Sequence, residues 1–347
     1  MNNDNKRSAG GFGLVGDIGG TNARFHIIER PHAEPLIFDP VRTADFESIE
    51  QAVDQAVLAR SPIQPHCAIL AAAGPITADG LDLTNCHWNI VPHRFLELAG
   101  FEQLLLMNDF EAQALALPCL TSQDGVALGG AHLNGDPDGG NEFTKAVLGP
   151  GTGLGVGLLV RAGGKWIPVA GEGGHVDLGP RNARESEIWP HLETIGGRIS
   201  AEQAVCGDGL VNLYTACCKA NGVDASLNSP ADISVRAMQG DNREAVEALS
   251  LFCTTLGRIA GDLALTSMAK GGVYIGGGIA QKILPFLKTS AFRASFEDKA
   301  PHNLVMSEIA TVVVTHELPA LLGLGAYAND PDRYLLDIDH RNWLRAK

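Results

Sequence analysis

The chain has 347 residues, 45% of them hydrophobic, with 26 basic against 40 acidic side chains and a formal net charge of -14. That length predicts about two domains with real cores. The acidic balance excludes a general nucleic-acid or anionic membrane surface, since neither attracts a negative protein.

No stretch approaches ~18 uninterrupted apolar residues, so no membrane span is expected. The polar start MNNDNKRSAGG carries no signal-peptide core. Seven scattered cysteines without C-x-x-C read as reduced thiols, so a cytoplasmic protein without disulfides or zinc is expected.

Along the chain, Phe12 to Val15 is an apolar run that enters the turn GDIGGTN and leaves through Ala23 to Ile28. Ala23, Phe25 and Ile27 alternate with Arg24 and His26, which predicts a half-buried strand and therefore a hairpin. Leu36 to Val41 predicts a third strand. Phe46, Ile49, Val53 and Val57 at helical spacing predict a helix over 46–58. CAILAAAG from Cys67 predicts a buried strand stopped by Gly74-Pro75. A polar loop with strand pieces and a short helix near 92–98 come next, and then the apolar run Leu104 to Met107, which ends in Asn108-Asp109 before helical FEAQALAL. Residues 121–144, rich in Gly, Asn and Asp, predict a loop. Ala146 to Val160, AVLGPGTGLGVGLLV, repeats the opening plan of strand, glycine turn, strand, which points to an internal duplication. Helices are predicted over 185–194, 200–205, 209–220, 233–238 and 244–268. Val273 to Ile275 runs as a strand into Gly276-Gly277-Gly278, Val312 to Val314 is a last strand, and 319–328 a last helix.

Three groups carry chemistry. In the first turn, Gly16 to Asn22, Gly19 and Gly20 allow positive φ and close backbone approach to an anion, and Thr21 and Asn22 add donors. Asp17 beside such a phosphate nest implies Mg²⁺ between them. Taken alone, an ordinary tight hairpin competes evenly with this reading. In the second turn, glycines at every other position from Gly149 to Gly157, including Gly151 and Gly153 around Thr152, offer bare backbone to phosphates. A dinucleotide fingerprint would need a helix directly afterwards, and LLVRAGGKWIPVA reads as strand, turn, strand. Asn108-Asp109 closes a buried strand, where ligand-contacting residues stand in α/β sheets, although Asp109 could equally be a helix N-cap. Glu172 and His175 in AGEGGHVDL lie among glycines that forbid a good helix, which suits them to bind a polyol.

The combination GDIGGTN, LLLMNDF, GPGTGLGVG, AGEGGHVDL, ISAEQAV and GGVYIGGGI resembles the bacterial glucokinase family, within the sugar kinase, Hsp70 and actin superfamily. The likeness runs from about Gly13 to Tyr327. It implies an α/β fold of two ribonuclease H-like (actin/hexokinase-type) domains with the active site in the interdomain cleft. The small domain would be 1–118 plus 316–347, and the large one 119–315. It implies Asp109 as the base for the sugar hydroxyl, and Asn108, Glu172, His175 and Glu202, with Asn85, as sugar ligands. Gly276, Gly277 and Gly278 would be the adenosine turn. ATP is the implied phosphoryl donor, Mg²⁺ the cofactor, D-glucose the acceptor and a homodimer the assembly. The chain lacks the cysteine-rich zinc motif of the related ROK sugar kinases. Ala73 stands where the family commonly has another residue, and the tail ending DIDHRNWLRAK runs past the family's usual end.

Two other classes fit less well. A sugar-sensing repressor on this scaffold would need a DNA-reading module, and only about ten polar residues precede the first strand. A filament-forming or chaperone-like ATPase would not need Asn108, Glu172, His175 and Glu202. Among enzymes the alternative is a kinase of mannose or fructose.

Overall fold

The computed structural model describes residues 13–29, 33–83, 86–130 and 142–346. Contacts divide the chain into two units, one of Met1–Cys119, Leu159–Ala170 and Glu317–Lys347, the other of Leu120–Leu158 and Gly171–His316.

The first unit opens with the expected hairpin, β1 (Gly13–Ile18) antiparallel to β2 (Asn22–Ile28). Along β2, Ala23, Phe25 and Ile27 are buried and Arg24 and His26 only partly so, which is the period of two that pleating imposes. The predicted third strand splits into β3 (Leu36–Ile37) and β4 (Val41–Arg42), both paired to β2. The helix predicted from Phe46 starts later. Ser48 accepts from the Gln51 N–H and caps α1 (Ile49–Ala52), which continues as a π-helical turn, Val53–Val57, and a 3-10 turn, Leu58–Arg60. Phe46 has no side-chain acceptor with which to start a helix, and Ser48 has one.

β5 (Cys67–Ala72) is buried along its whole length and runs parallel to β1. A small sheet comes next, of β6 (Ile76–Thr77), β7 (Gly80–Asp82) and β8 (Asn89–Ile90), then α2 (Pro92–Leu98). β9 (Gln103–Asn108), parallel to β5, passes without a loop into α3 (Asp109–Ala116). Leu14, Phe25, Leu70, Phe95 and Phe101 are core residues of this unit.

In the second unit a strand, β10 (Gly125–Gly129), stands within the stretch predicted to be loop. Its glycines hide it from propensity, and pairing with the unit's last strand makes it. β11 (Lys145–Pro150), β12 (Leu154–Ala162) and β13 (Lys165–Gly171) are next in order, with residues 159–170 grouping with the first unit. The helical part runs α4 (Ala183–Ile188), α5 (Gly207–Asn221), α6 (Pro230–Gln239) and α7 (Arg243–Ser267). Among the described residues α7 is the one helix long and apolar enough to cross a membrane, yet 67% of its most apolar 18-residue window is buried in protein. β14 (Val273–Ile275), α8 (Gly278–Lys282), α9 (Leu284–Thr289), α10 (Phe292–Glu297), α11 (Asn303–Glu308) and β15 (Thr311–Val314) complete the unit. In α7, Gly257 and Gly261 let a neighbour come close: a Cβ there would lie 2.2 and 2.5 Å from the carbonyl oxygens of Phe292 and Phe296.

The chain then returns to the first unit with α12 (Pro319–Asn329), packed along α3, and β16 (Asn342–Leu344), antiparallel to β9. The sheet orders are β16-β9-β5-β1-β2-β3, with β4 also on β2, and β10-β15-β14-β11-β12-β13. In each, three central strands are parallel, β1, β5 and β9 or β11, β14 and β15. In each, an antiparallel edge strand covers the third of them. One plan occurs twice, as duplication would produce.

Candidate active site

In the first unit, β1 delivers Asp17 to the mouth of the hairpin, opposite Arg24 in the register. Burial pushes the Asp17 carboxyl up to about 6; Arg24 opposes the shift and the charge of Asp109 adds to it. The turn itself is tight, with the Gly19 N–H donating to Asn22 O at 3.0 Å. Positive φ is not what its glycines supply, because neither Gly19 nor Gly20 is among the positive-φ glycines. Gly16 lies in mid-strand, where a Cβ would stand 2.7 Å from Leu70, so packing accounts for its missing side chain. Thr43, which sequence reasoning passed over, braces the turn: its hydroxyl donates to Gly20 O at 2.9 Å and its N–H to Thr21 O at 3.0 Å. With those carbonyls held, the tip keeps N–H groups and the Thr21 and Asn22 side chains for a ligand.

At the carboxyl end of β9 the N-cap of α3 is Asn108, not Asp109. Asn108 Oδ1 accepts from the Phe110 N–H at 2.9 Å and the Glu111 N–H at 3.2 Å. Its amide nitrogen is therefore the end left to a ligand. Asp109, first residue of the helix, accepts from the Phe110 N–H through Oδ1 at 3.0 Å. Asn85 lies outside the described residues.

In the second unit the candidate residues gather around one peptide, that of Leu154 at the start of β12. The Leu154 N–H donates to Glu202 Oε2 at 2.8 Å, so the carboxylate stands against the glycine turn. Gly153 has no room for a side chain, since its Cβ would lie 2.4 Å from that same oxygen. On the other side, a Cβ on Gly174 would lie 2.1 Å from Leu154 O, which seats the 3-10 turn Gly173–His175 directly on β12. That turn brings Glu172 Oε2 within 3.9 Å of His175 Nε2. Gly151 closes on Gly153 through an N–H to O bond of 2.8 Å, and its own carbonyl accepts from the Gly207 N–H at the start of α5 at 2.9 Å. Exposed Thr152 tops the turn.

The turn after β14 docks on the same corner. Gly277 has φ +80° and its Cβ would lie 2.4 Å from Pro150 O, so no side chain is tolerated there. Gly276 donates to Leu148 O at 2.8 Å, and Gly278 opens α8. Glu172, His175, Glu202, the second glycine turn and the Gly276 to Gly278 turn thus form one constellation within the unit.

A sequence profile of the Glucokinase family matches residues 14–331. The glucokinase of Rhizobium johnstonii is 53% identical over 332 residues, which is 96% of either chain. The chain belongs to the glucokinase family. Solved glucokinase structures agree with this: that of an Antarctic psychrotroph superposes with a TM-score of 0.81 at 34% identity, covering 92% of this chain and 99% of the other. The glucokinase of Balamuthia mandrillaris, solved in complex with glucose, gives 0.73 at 25% identity, covering 93% and 95%. As a family member this chain is an ATP-dependent hexose kinase with a mixed α/β fold of the hexokinase-like superfamily.

The tight packing at Gly153 yields a test of the roles expected of Glu202 and the glycine turn. Gly153→Ala is expected to push Glu202 off the Leu154 N–H and raise the KM values for glucose and ATP together, each about tenfold, with Tm little changed. Steady-state kinetics checks it; a rise in only one KM would show that the two functions are separable.

Proposed function

We propose that the enzyme transfers the γ-phosphoryl of ATP to the 6-hydroxyl of D-glucose, with Asp109 as general base. A bond forms between the sugar O6 and the γ-phosphorus, the bond from that phosphorus to the β–γ bridging oxygen breaks, and the hydroxyl proton passes to Asp109. An alcohol attacks phosphorus poorly unless it is positioned and relieved of its proton as the bond forms. The observation that carries this reading is the placing of Asp109 at the end of a central parallel strand, close enough to Asp17 for its charge to raise the Asp17 pKa.

Asp17 is the residue proposed to hold Mg²⁺, through water. When bound, Mg²⁺ supplies charge neutralisation on the ATP phosphates. Asn108 would donate through its amide to one sugar hydroxyl, and Glu172 and Glu202 would accept from others. His175 would donate or accept according to its tautomer, and Asn85 joins the set by resemblance. The turn at 16–22 and that at 149–157 would hold phosphates, and Gly276 to Gly278 the adenosine. A homodimer, read by solution mass, and a cytoplasmic location, read by fractionation, complete the proposal; five of the seven free cysteines are buried, as suits reduced thiols.

The test is a coupled assay of ADP release with glucose, mannose, fructose and no sugar. Glucose should give the highest kcat/KM, and sugar-free ATP hydrolysis should fall below about 1% of the glucose rate, because an active site that completes itself around the sugar excludes water. ADP release that ignores the sugar would refute it.

A further inference from the structure

The tail that no sequence motif explained is built onto the helix that carries Asp109. The family profile ends at residue 331, and residues 332–347 lie beyond it. Tyr334 stands over the far end of α3, its hydroxyl donating to Leu115 O at 3.4 Å. Seven residues later Arg341 reaches the near end. Its Nη1 and Nη2 donate to the two oxygens of Glu111, the latter at 2.9 Å, in a fork-to-fork pair. Glu111 is 1% exposed, so removing Arg341 would leave its carboxylate buried without its cation.

Arg341 is itself held. Its carbonyl accepts from the Leu106 N–H on β9 at 3.0 Å, and its Nε donates to Asp337 O. β16 then runs along β9, Trp343 opposite Leu104, with Gln103 Nε2 donating to Asn342 Oδ1 at 2.8 Å and the Arg345 N–H to Glu102 O at 2.9 Å. The same residues therefore touch the strand before Asp109 and the helix after it.

We propose that the segment from Pro331 onward is a strap that fixes the first turn of α3, with Arg341 as a positioning residue for Asp109. Residues 109 and 111 point roughly 200° apart on a helix, and the Arg341 fork is engaged by Glu111. It acts through the turn. Asn108 holds the Glu111 N–H from one side and Arg341 holds the Glu111 carboxylate from the other, so the orientation of the turn between them is set twice. The second unit carries its covering strand, β10, at the matching edge of β15, which makes β16 the first unit's counterpart of a repeated feature.

The proposal rests on Asp109 being the base, and its test separates the two ideas. In Arg341→Gln, kcat should fall at least about tenfold, since small misplacement of a reacting group is expensive, with glucose KM within about threefold. Hydrogen exchange at the amides of 109–112 should quicken while β1 and β5 keep their protection. Arg341→Lys, which keeps the charge but loses the fork, should recover part of kcat. Glu111→Gln, less able to disturb folding, should show the same local exchange change in milder form. A folded Arg341→Gln enzyme with kcat within twofold of the parent overturns the strap, and so does parental exchange at 109–112 in Glu111→Gln. If Asp109→Ala kept its turnover while the exchange changes appeared, the base assignment would fall and the strap would stand.

Discussion

Asp109→Asn is expected to lower kcat by roughly 10² to 10⁴, the range a positioned general base contributes, with glucose affinity within about threefold of the parent. The amide is nearly isosteric and its Oδ1 can still accept from the Phe110 N–H, so the helix start should survive. Stability belongs to the neighbour. Asn108 caps α3 through two N–H groups, and Asn108→Ala should cost about 1 kcal/mol of folding stability. Melting curves, glucose titration calorimetry and initial rates on the two variants therefore separate chemistry from capping. A fully active Asp109→Asn enzyme would remove the base from the proposed mechanism.

Asp17→Asn should lose kcat by at least about a hundredfold, because an amide cannot anchor the cation that neutralises the phosphates. Its pH behaviour should be as informative. The Asp17 carboxyl titrates near 6 in the folded chain, above its unfolded value, through burial first, with Asp109 adding and Arg24 opposing. A raised carboxyl pKa favours the folded state below the unfolded pKa, and that contribution is lost as pH rises through about 6. The ligand-free Asp17→Asn protein should thus be more stable than the parent at pH 7 to 8, by about 3 kcal/mol at most. The gap should close by about pH 4. In the parent, kcat/KM for Mg-ATP should fall as pH drops through about 6, since the protonated acid holds no cation. Melts and rates across pH 4 to 8 check both, and an unchanged fall near pH 6 in the variant would assign it to another group.

Much of this was legible in the residues. Alternation in Ala23 to Ile28 gave β2, an unbroken apolar run gave β5, and recurrence of strand, glycine turn, strand pointed to the doubled sheet plan. What escaped had long-range causes. β10 and β16 are short and lie in glycine- or charge-rich sequence, and they exist because a neighbouring edge pairs with them. Thr43 braces the first turn from 22 residues away, and Glu202 meets Leu154 from 48 away, a distance no local pattern spans. The glycines were read as allowing positive φ and close backbone approach: Gly277 shows both, whereas Gly19 and Gly20 are not left-handed and a Cβ on Gly19 would lie 3.1 Å from Asn22 O. Asn108 and Asp109 exchanged one role, since either side chain can cap a helix and only geometry decides.

The peptide of Leu154 has a further consequence for how this enzyme could diverge. A carboxylate proposed to recognise sugar hydroxyls is also tied to the backbone that flanks the turn proposed to hold phosphates, so in that reading the two halves of selectivity share one support. Substituting Glu202 to admit a different acceptor would loosen the donor's seat at the same stroke. Lineages that change their hexose are then expected to do so at Glu172, His175 or Asn108 first, and to keep the Glu202 and Gly153 pair together or lose it together.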